Sequence, residues 1–226
     1  MREIVLDTET TGLNPLQGDR LVEIGCVEVI NHMPTDKFFH IYLNPERDVP
    51  DEAARIHGLT TEFLQDKPVF AEQVDSFLDF IAKDVLVIHN APFDMGFLNA
   101  ELTRLGFKTL SMTRVIDTLP LARRLFPGTP ASLDALCKRF DVDASARDFH
   151  GALLDAQLLA DVYLELCGGR QPDLDMGQKV ETESHEKIIM EKEPRFPREH
   201  APNEEEITAH DTFLKKIKDA LWTKAG

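Results

Sequence analysis

The chain has 226 residues, 42% of them hydrophobic, which suffices for one sizeable core and an appendage. A formal charge of −15 excludes a domain that grips a polyanion through a basic surface, though not an enzyme that meets nucleic acid through metal ions and a partner. Cys26, Cys137 and Cys167 are far apart and form neither a CxxC zinc pair nor a disulfide framework, so buried free thiols in a reducing cytosol are expected.

The N-terminus enters an apolar, β-prone run directly, with no basic-then-apolar signal sequence. No apolar run approaches the ~20 residues needed to span a bilayer. A soluble, cytoplasmic protein with no membrane partner is expected. The first run, Ile4-Val5-Leu6, leads into Asp7-Thr8-Glu9-Thr10-Thr11-Gly12. Residues i and i+2 of a strand project from one face, so Asp7 and Glu9 stand side by side. Like charges held that close repel, and a hard divalent cation relieves the conflict. A strand running into a polar turn with two solvated acids fits the stretch equally well. Thr10 to Asp19 is rich in turn formers. Arg20 to Ile30 reads as a long strand and Phe38 to Leu43 as another. Asn31 to Lys37 joins them as a turn, giving a three-stranded meander.

From Pro50 the pattern becomes helical. A short helix over Asp51 to His57 stops at Gly58, and Val74, Phe77, Leu78 and Ile81 carry helical spacing over Ala71 to Ala82. Val85 to Ile88 is a short buried strand. Pro92 opens a helix through Leu105, with Gly106 as its stop. A short strand at Val115-Ile116 precedes helices near Leu119–Leu125 and Ser132–Phe140. A long helix then runs from about Gly151 to Cys167. Strands first, then helices alternating with strands, predict a layered α/β domain with a mixed sheet. Residues 1–167 hold 27 acidic and 15 basic residues against 13 and 10 beyond, so the acidity belongs mainly to this domain.

Residues 170–203 are rich in Glu, Lys, Pro and Gln and read as a flexible linker. Asn203 with Glu206 resembles a capping box. Ile207, Leu214, Ile217 and Leu221 fall on one stripe, flanked by Phe213 and Trp222. Such a terminal helix either folds back on the domain or docks on a partner.

Further acids follow apolar runs. In His89-Asn90-Ala91-Pro92-Phe93-Asp94, Asp94 sits in the first turn of a helix, where an acid complementing the helix dipole is common. In His150-Gly151-Ala152-Leu153-Leu154-Asp155, a histidine lies at the start of the long helix and an acid one turn inside it. Together with Asp7-Thr8-Glu9-Thr10-Thr11-Gly12 and Ser132-Leu133-Asp134-Ala135-Leu136-Cys137, these segments resemble the DnaQ-like, or DEDDh, family of 3′–5′ exonucleases in order and spacing. The likeness covers residues 1–169, with a weaker one at the tail. His150 marks the DEDDh branch, since the sister branch carries tyrosine there.

The resemblance implies a ribonuclease H-like fold and two-metal hydrolysis of phosphodiester bonds with Mg²⁺ or Mn²⁺. It implies Asp7, Glu9, Asp94 and Asp155 as metal ligands and His150 as general base. Asp7, Glu9 and Asp155, with Glu52 and His57, would contact a single-stranded or frayed 3′ DNA end. A solvated helix acid and a helix-terminal histidine fit Glu52 and His57 almost as well. His89 and Asn90 would brace the turn, and Phe93 reads as core. Gln171-Pro172-Asp173-Leu174-Asp175-Met176 resembles a sliding-clamp peptide, with Gln171, Leu174 and Met176 as its anchors and Met in place of the usual aromatic. The tail, through Leu214, Ile217, Leu221 and Trp222, would hold the polymerase alpha subunit, and binding of a small accessory subunit is left open. Proofreading of replication is the function implied. A free-standing exoribonuclease of the same family needs neither linker nor terminal helix. A non-catalytic adaptor for polymerase and clamp needs none of the clustered carboxylates.

Overall fold

A computed structural model of the protein describes residues 1–145, 149–169 and 201–217. Five strands form one sheet: β1 (Arg2–Thr10), β2 (Leu21–Ile30), β3 (Met33–Tyr42), β4 (Val85–Ile88) and β5 (Val115–Asp117), in the order β3-β2-β1-β4-β5. The β1–β2 and β2–β3 pairs are antiparallel, and β4 and β5 join in parallel. Helices α1 (Asp51–His57), α2 (Thr61–Leu64), α3 (Phe70–Ile81), α4 (Ala91–Arg104), α5 (Thr118–Leu125), α6 (Leu133–Phe140) and α7 (Ala152–Leu166) surround it. The mixed α/β architecture expected from the sequence is the one observed.

The alternation of β1 sorts its side chains onto two faces. Ile4 and Leu6, with Ile24 and Cys26 of β2, pack against Phe77 of α3 and Phe97 and Leu98 of α4. Val5, with Val27, Val29 and Val87, packs against Ala156, Leu159, Ala160 and Tyr163 of α7. A third cluster joins Ala122 of α5 and Leu136 of α6 to Leu158 and Val162, so α7 is covered on both sides. Gln157, Asp161 and Glu165, spaced four apart, keep one polar face of α7 exposed.

Three expectations are corrected. Strand β3 starts at Met33 rather than Phe38. The chain reverses within Asn31 and His32, both in the left-handed region with φ of 52° and 65°, as a tight hairpin requires. Pro34 and its polar neighbours are tolerated because β3 is an edge strand. Cys26 and Cys137 are buried as expected, but Cys167, at the end of α7, is exposed. Helix α8 (Glu204–Leu214) belongs to a separate unit of the chain and carries the expected capping box between Asn203 and Glu206. It stops before Ile217, which instead follows a tightened turn in which its N–H donates to the Leu214 carbonyl at 3.1 Å. Leu221 and Trp222, like Gln171, Leu174 and Met176, lie outside the described residues. Among the described residues no helix is long and apolar enough to cross a membrane.

The loop between β1 and β2 is fastened at both ends. Thr11 N–H donates to the Arg20 carbonyl at 2.9 Å, and Arg20 N–H to the Thr11 hydroxyl at 3.0 Å. The Arg20 guanidinium then grips Glu101 of α4 with two bonds, of 2.5 and 3.0 Å. Glu101 is buried and Arg104 reaches it only at 3.4 Å, so removing Arg20 leaves a poorly compensated charge in the core. Arg20→Met is expected to lower unfolding free energy by about 3–5 kcal/mol, read from urea denaturation, whereas the double change with Glu101→Leu recovers most of the loss.

Candidate active site

The site gathers where β1 runs out beside the first turn of α7. Asp7 and Glu9 project from the face of β1 that α7 covers, both partly exposed. What brings α7 close enough is Gly25, which pairs with Asp7 across the β1–β2 ladder. A Cβ at Gly25 would lie 2.3 Å from the Ala152 carbonyl carbon and the Leu153 nitrogen. Only a residue without a side chain lets the helix backbone rest on the strand there. The chain before α7 is tied down as well, because His150 N–H donates to the Ile56 carbonyl of α1 at 3.1 Å.

With the helix seated, Glu9, His150 and Asp155 converge, and ligand atoms from all three lie within 4.8 Å of one another. His150 Nδ1 is 3.3 Å from Asp155 Oδ2, with the histidine half exposed and the aspartate buried. Two carboxylates at that spacing suit a hard divalent cation, and the imidazole stands beside them. Asp7 and Asp94 stand outside this tight cluster. Asp7 is two residues earlier on the same face. Asp94, in the first turn of α4, approaches β1 from the other side and accepts a 2.7 Å hydrogen bond from the Thr8 hydroxyl. Burial pushes the Asp94 carboxyl up to about 7, against the opposing pull of that hydroxyl. A nearby cation would favour its ionised form.

Beside Glu9 opens a cavity of about 490 Å³, lined by Thr10, Gly12, Glu52, His57 and Phe93 among others. Glu52 and His57 therefore sit on one wall and Glu9 on another. His57 is buried, and burial lowers its proton affinity, so the neutral ring dominates. Its Nδ1 accepts from Leu59 N–H at 3.1 Å, which leaves the proton on Nε2, a buried atom that the Thr10 backbone faces. Phe93 packs edgewise on the core and presents its remaining surface to the cavity. Gly12 closes the rim, for a Cβ there would strike the Asp19 carboxylate at 2.4 Å.

His89 and Asn90 brace the turn after β4 as expected. His89 Nδ1 lies 2.8 Å from the Thr118 hydroxyl, and Asn90 N–H donates to Asp117 at 3.0 Å. Sequence reasoning missed Thr8 and Gly25. Each had a faint signal: Thr8 alternates onto the opposite face from its acidic neighbours, and Gly25 interrupts an otherwise branched and apolar strand.

Comparison with known proteins bears on what this arrangement does. The family model described as an exonuclease matches residues 4–163. DNA polymerase III subunit epsilon of Rickettsia felis is 52% identical over 96% of this chain and 97% of its own. That of Salmonella typhimurium is 47% identical over 98% and 97%. Among solved structures, exonuclease X in complex with 5′ overhanging duplex DNA superposes with a TM-score of 0.59 at 26% identity, covering 74% of this chain and 91% of that one.

The seating of α7 can be checked at its contact point. Gly25→Ala is expected to cost about 1–3 kcal/mol of stability and to reduce nuclease activity at least tenfold, because Asp155 and His150 move with the helix. Gly96→Ala in α4, where an added Cβ meets nothing within 4 Å, leaves activity unchanged and slightly raises the melting temperature.

Proposed function

Because the chain belongs to the DNA polymerase III epsilon family of metal-dependent 3′–5′ proofreading exonucleases, we propose that the carboxylates at the end of β1 are where it cuts DNA. The observation that carries this is the convergence of Glu9, His150 and Asp155. Asp7, Glu9, Asp94 and Asp155 would hold two divalent cations, Mg²⁺ or Mn²⁺. When bound, these supply Lewis-acid activation of water and neutralise charge on the leaving 3′ oxygen.

The remaining work falls to side chains of the chain itself. His150 is half exposed, and Asp155 beside its Nδ1 orients the ring, leaving Nε2 to take a proton from the attacking water. The cavity beside Glu9 receives the terminal nucleotide of a single-stranded or frayed 3′ end. Glu52 accepts from its sugar or base, and His57 contacts it from the same wall. Asp94, held by Thr8, completes the metal site from the far side of β1.

The domain organisation follows the composition: an exonuclease domain over 1–169, a linker over 170–203 and a polymerase-docking segment over 204–226. An acidic domain that does not grip DNA by itself suits delivery of the frayed end by the DNA polymerase III alpha subunit. The linker peptide around Gln171 adds a weak contact to the sliding clamp.

Asp7→Ala is expected to abolish digestion of a 3′-labelled mispaired oligonucleotide in Mg²⁺ while leaving the circular dichroism spectrum intact. His150→Gln is expected to lose roughly 10²–10⁴-fold, the range of a general base. Equal digestion by wild type and Asp7→Ala would remove the site assignment, and faster digestion of RNA than of mispaired DNA would favour an exoribonuclease. Deleting 204–226 is expected to abolish co-purification with the alpha subunit without changing digestion of the free oligonucleotide.

A further inference from the structure

A further acid shares the rung of Glu9. Glu23 of β2 lies directly opposite Glu9 in the antiparallel ladder, just before the register shifts at Thr10. Opposed residues of such a pair leave the sheet on one face, with Cβ atoms about 4.5–5.5 Å apart. Glu23 is 3% exposed. Its Oε1 lies 2.7 Å from Nε2 of His40 on β3. Tyr42, its own partner across the β2–β3 ladder, stands on its other side.

The charge of Glu23 is felt by its neighbours. The Tyr42 phenol is pushed up by burial and then by Glu23. His57, lowered by burial, is drawn partly back by the same carboxylate. Two carboxylates opposed on one rung weaken a sheet, where a threonine or valine would strengthen it. His40 holds the Glu23 carboxylate by a hydrogen bond from the side away from Glu9, so Glu23 is anchored on the rung that Glu9 shares.

We propose that Glu23, anchored by His40, strengthens cation binding at the metal site. From the rung opposite Glu9 its buried carboxylate adds negative potential that draws a divalent cation in. The inference rests on the reading that Glu9 holds such a cation. A unit charge acting on a divalent ion roughly 7 Å away, under water-like screening, changes its affinity about tenfold.

The test is Mn²⁺ binding to the full chain without DNA, followed by isothermal titration calorimetry. Glu9→Gln sets the reference: if it binds Mn²⁺ as tightly as wild type, the site reading itself fails and this inference with it. If Glu9→Gln loses binding, Glu23→Gln, which keeps a hydrogen bond to His40 but loses the charge, is expected to weaken it about tenfold. Unchanged affinity in a folded Glu23→Gln protein would overturn the proposal while leaving the site reading intact. His40→Lys neutralises Glu23 without removing it and is expected to weaken Mn²⁺ binding in the same direction, which provides the test should Glu23→Gln not fold. His40→Gln, which keeps the Glu23 charge, is expected to bind Mn²⁺ at least as tightly as wild type. A loss there equal to that of Glu23→Gln would mean that packing, and not charge, is responsible.

Discussion

Helix α7 rests directly on the backbone of β2 at Gly25, and the geometry of the site descends from that contact. A Cβ at this position would stand 2.3 Å from the helix backbone, so any other residue pushes α7 away from the sheet. The helix carries Asp155 in its first turn, and the segment before it carries His150. Both therefore depend on a glycine one strand away for their approach to Glu9. The fastening of His150 N–H to the Ile56 carbonyl extends the dependence to α1, which forms the wall of the adjacent cavity. The Glu9, His150 and Asp155 cluster and the adjacent cavity are thus coupled through one short stretch of chain.

Electrostatics runs counter to packing here. The domain is acidic throughout, and its site concentrates carboxylates in surroundings that burial makes less polar. Asp94 shows the consequence, for burial, with Asp117 adding to it, moves its carboxyl up to about 7 while the Thr8 hydroxyl resists. A folded protein tolerates such crowding where a divalent cation is to be received, and the cations then carry the attraction for phosphate that the surface lacks. The same acidity makes delivery of the DNA end by a partner physically sensible.

Much of this was legible beforehand. The period-2 alternation of β1 puts Asp7 and Glu9 on one face, whatever the rest of the chain does. Helix stops at Gly58 and Gly106 and the capping pair Asn203 and Glu206 are local signals, and the structure obeys them. The start of β3 was not legible, because Met33 to Lys37 has turn-like composition and becomes strand only through pairing with β2. The separation of Asp94 from the Glu9, His150 and Asp155 cluster was equally hidden. It follows from the side of the sheet on which α4 packs, and no spacing in the sequence records that.

The sequence by itself determined which residue types were available for the chemistry and which face of each element they occupy, since period and capping are properties of a few consecutive residues. Tertiary structure alone decided which of those residues meet. Gly25 and Glu23 show the difference: one looks like a weak strand residue and the other like an ordinary polar position. Their roles arise because α7 seats on the first and Glu9 stands opposite the second, and both relations span parts of the chain that only folding brings together.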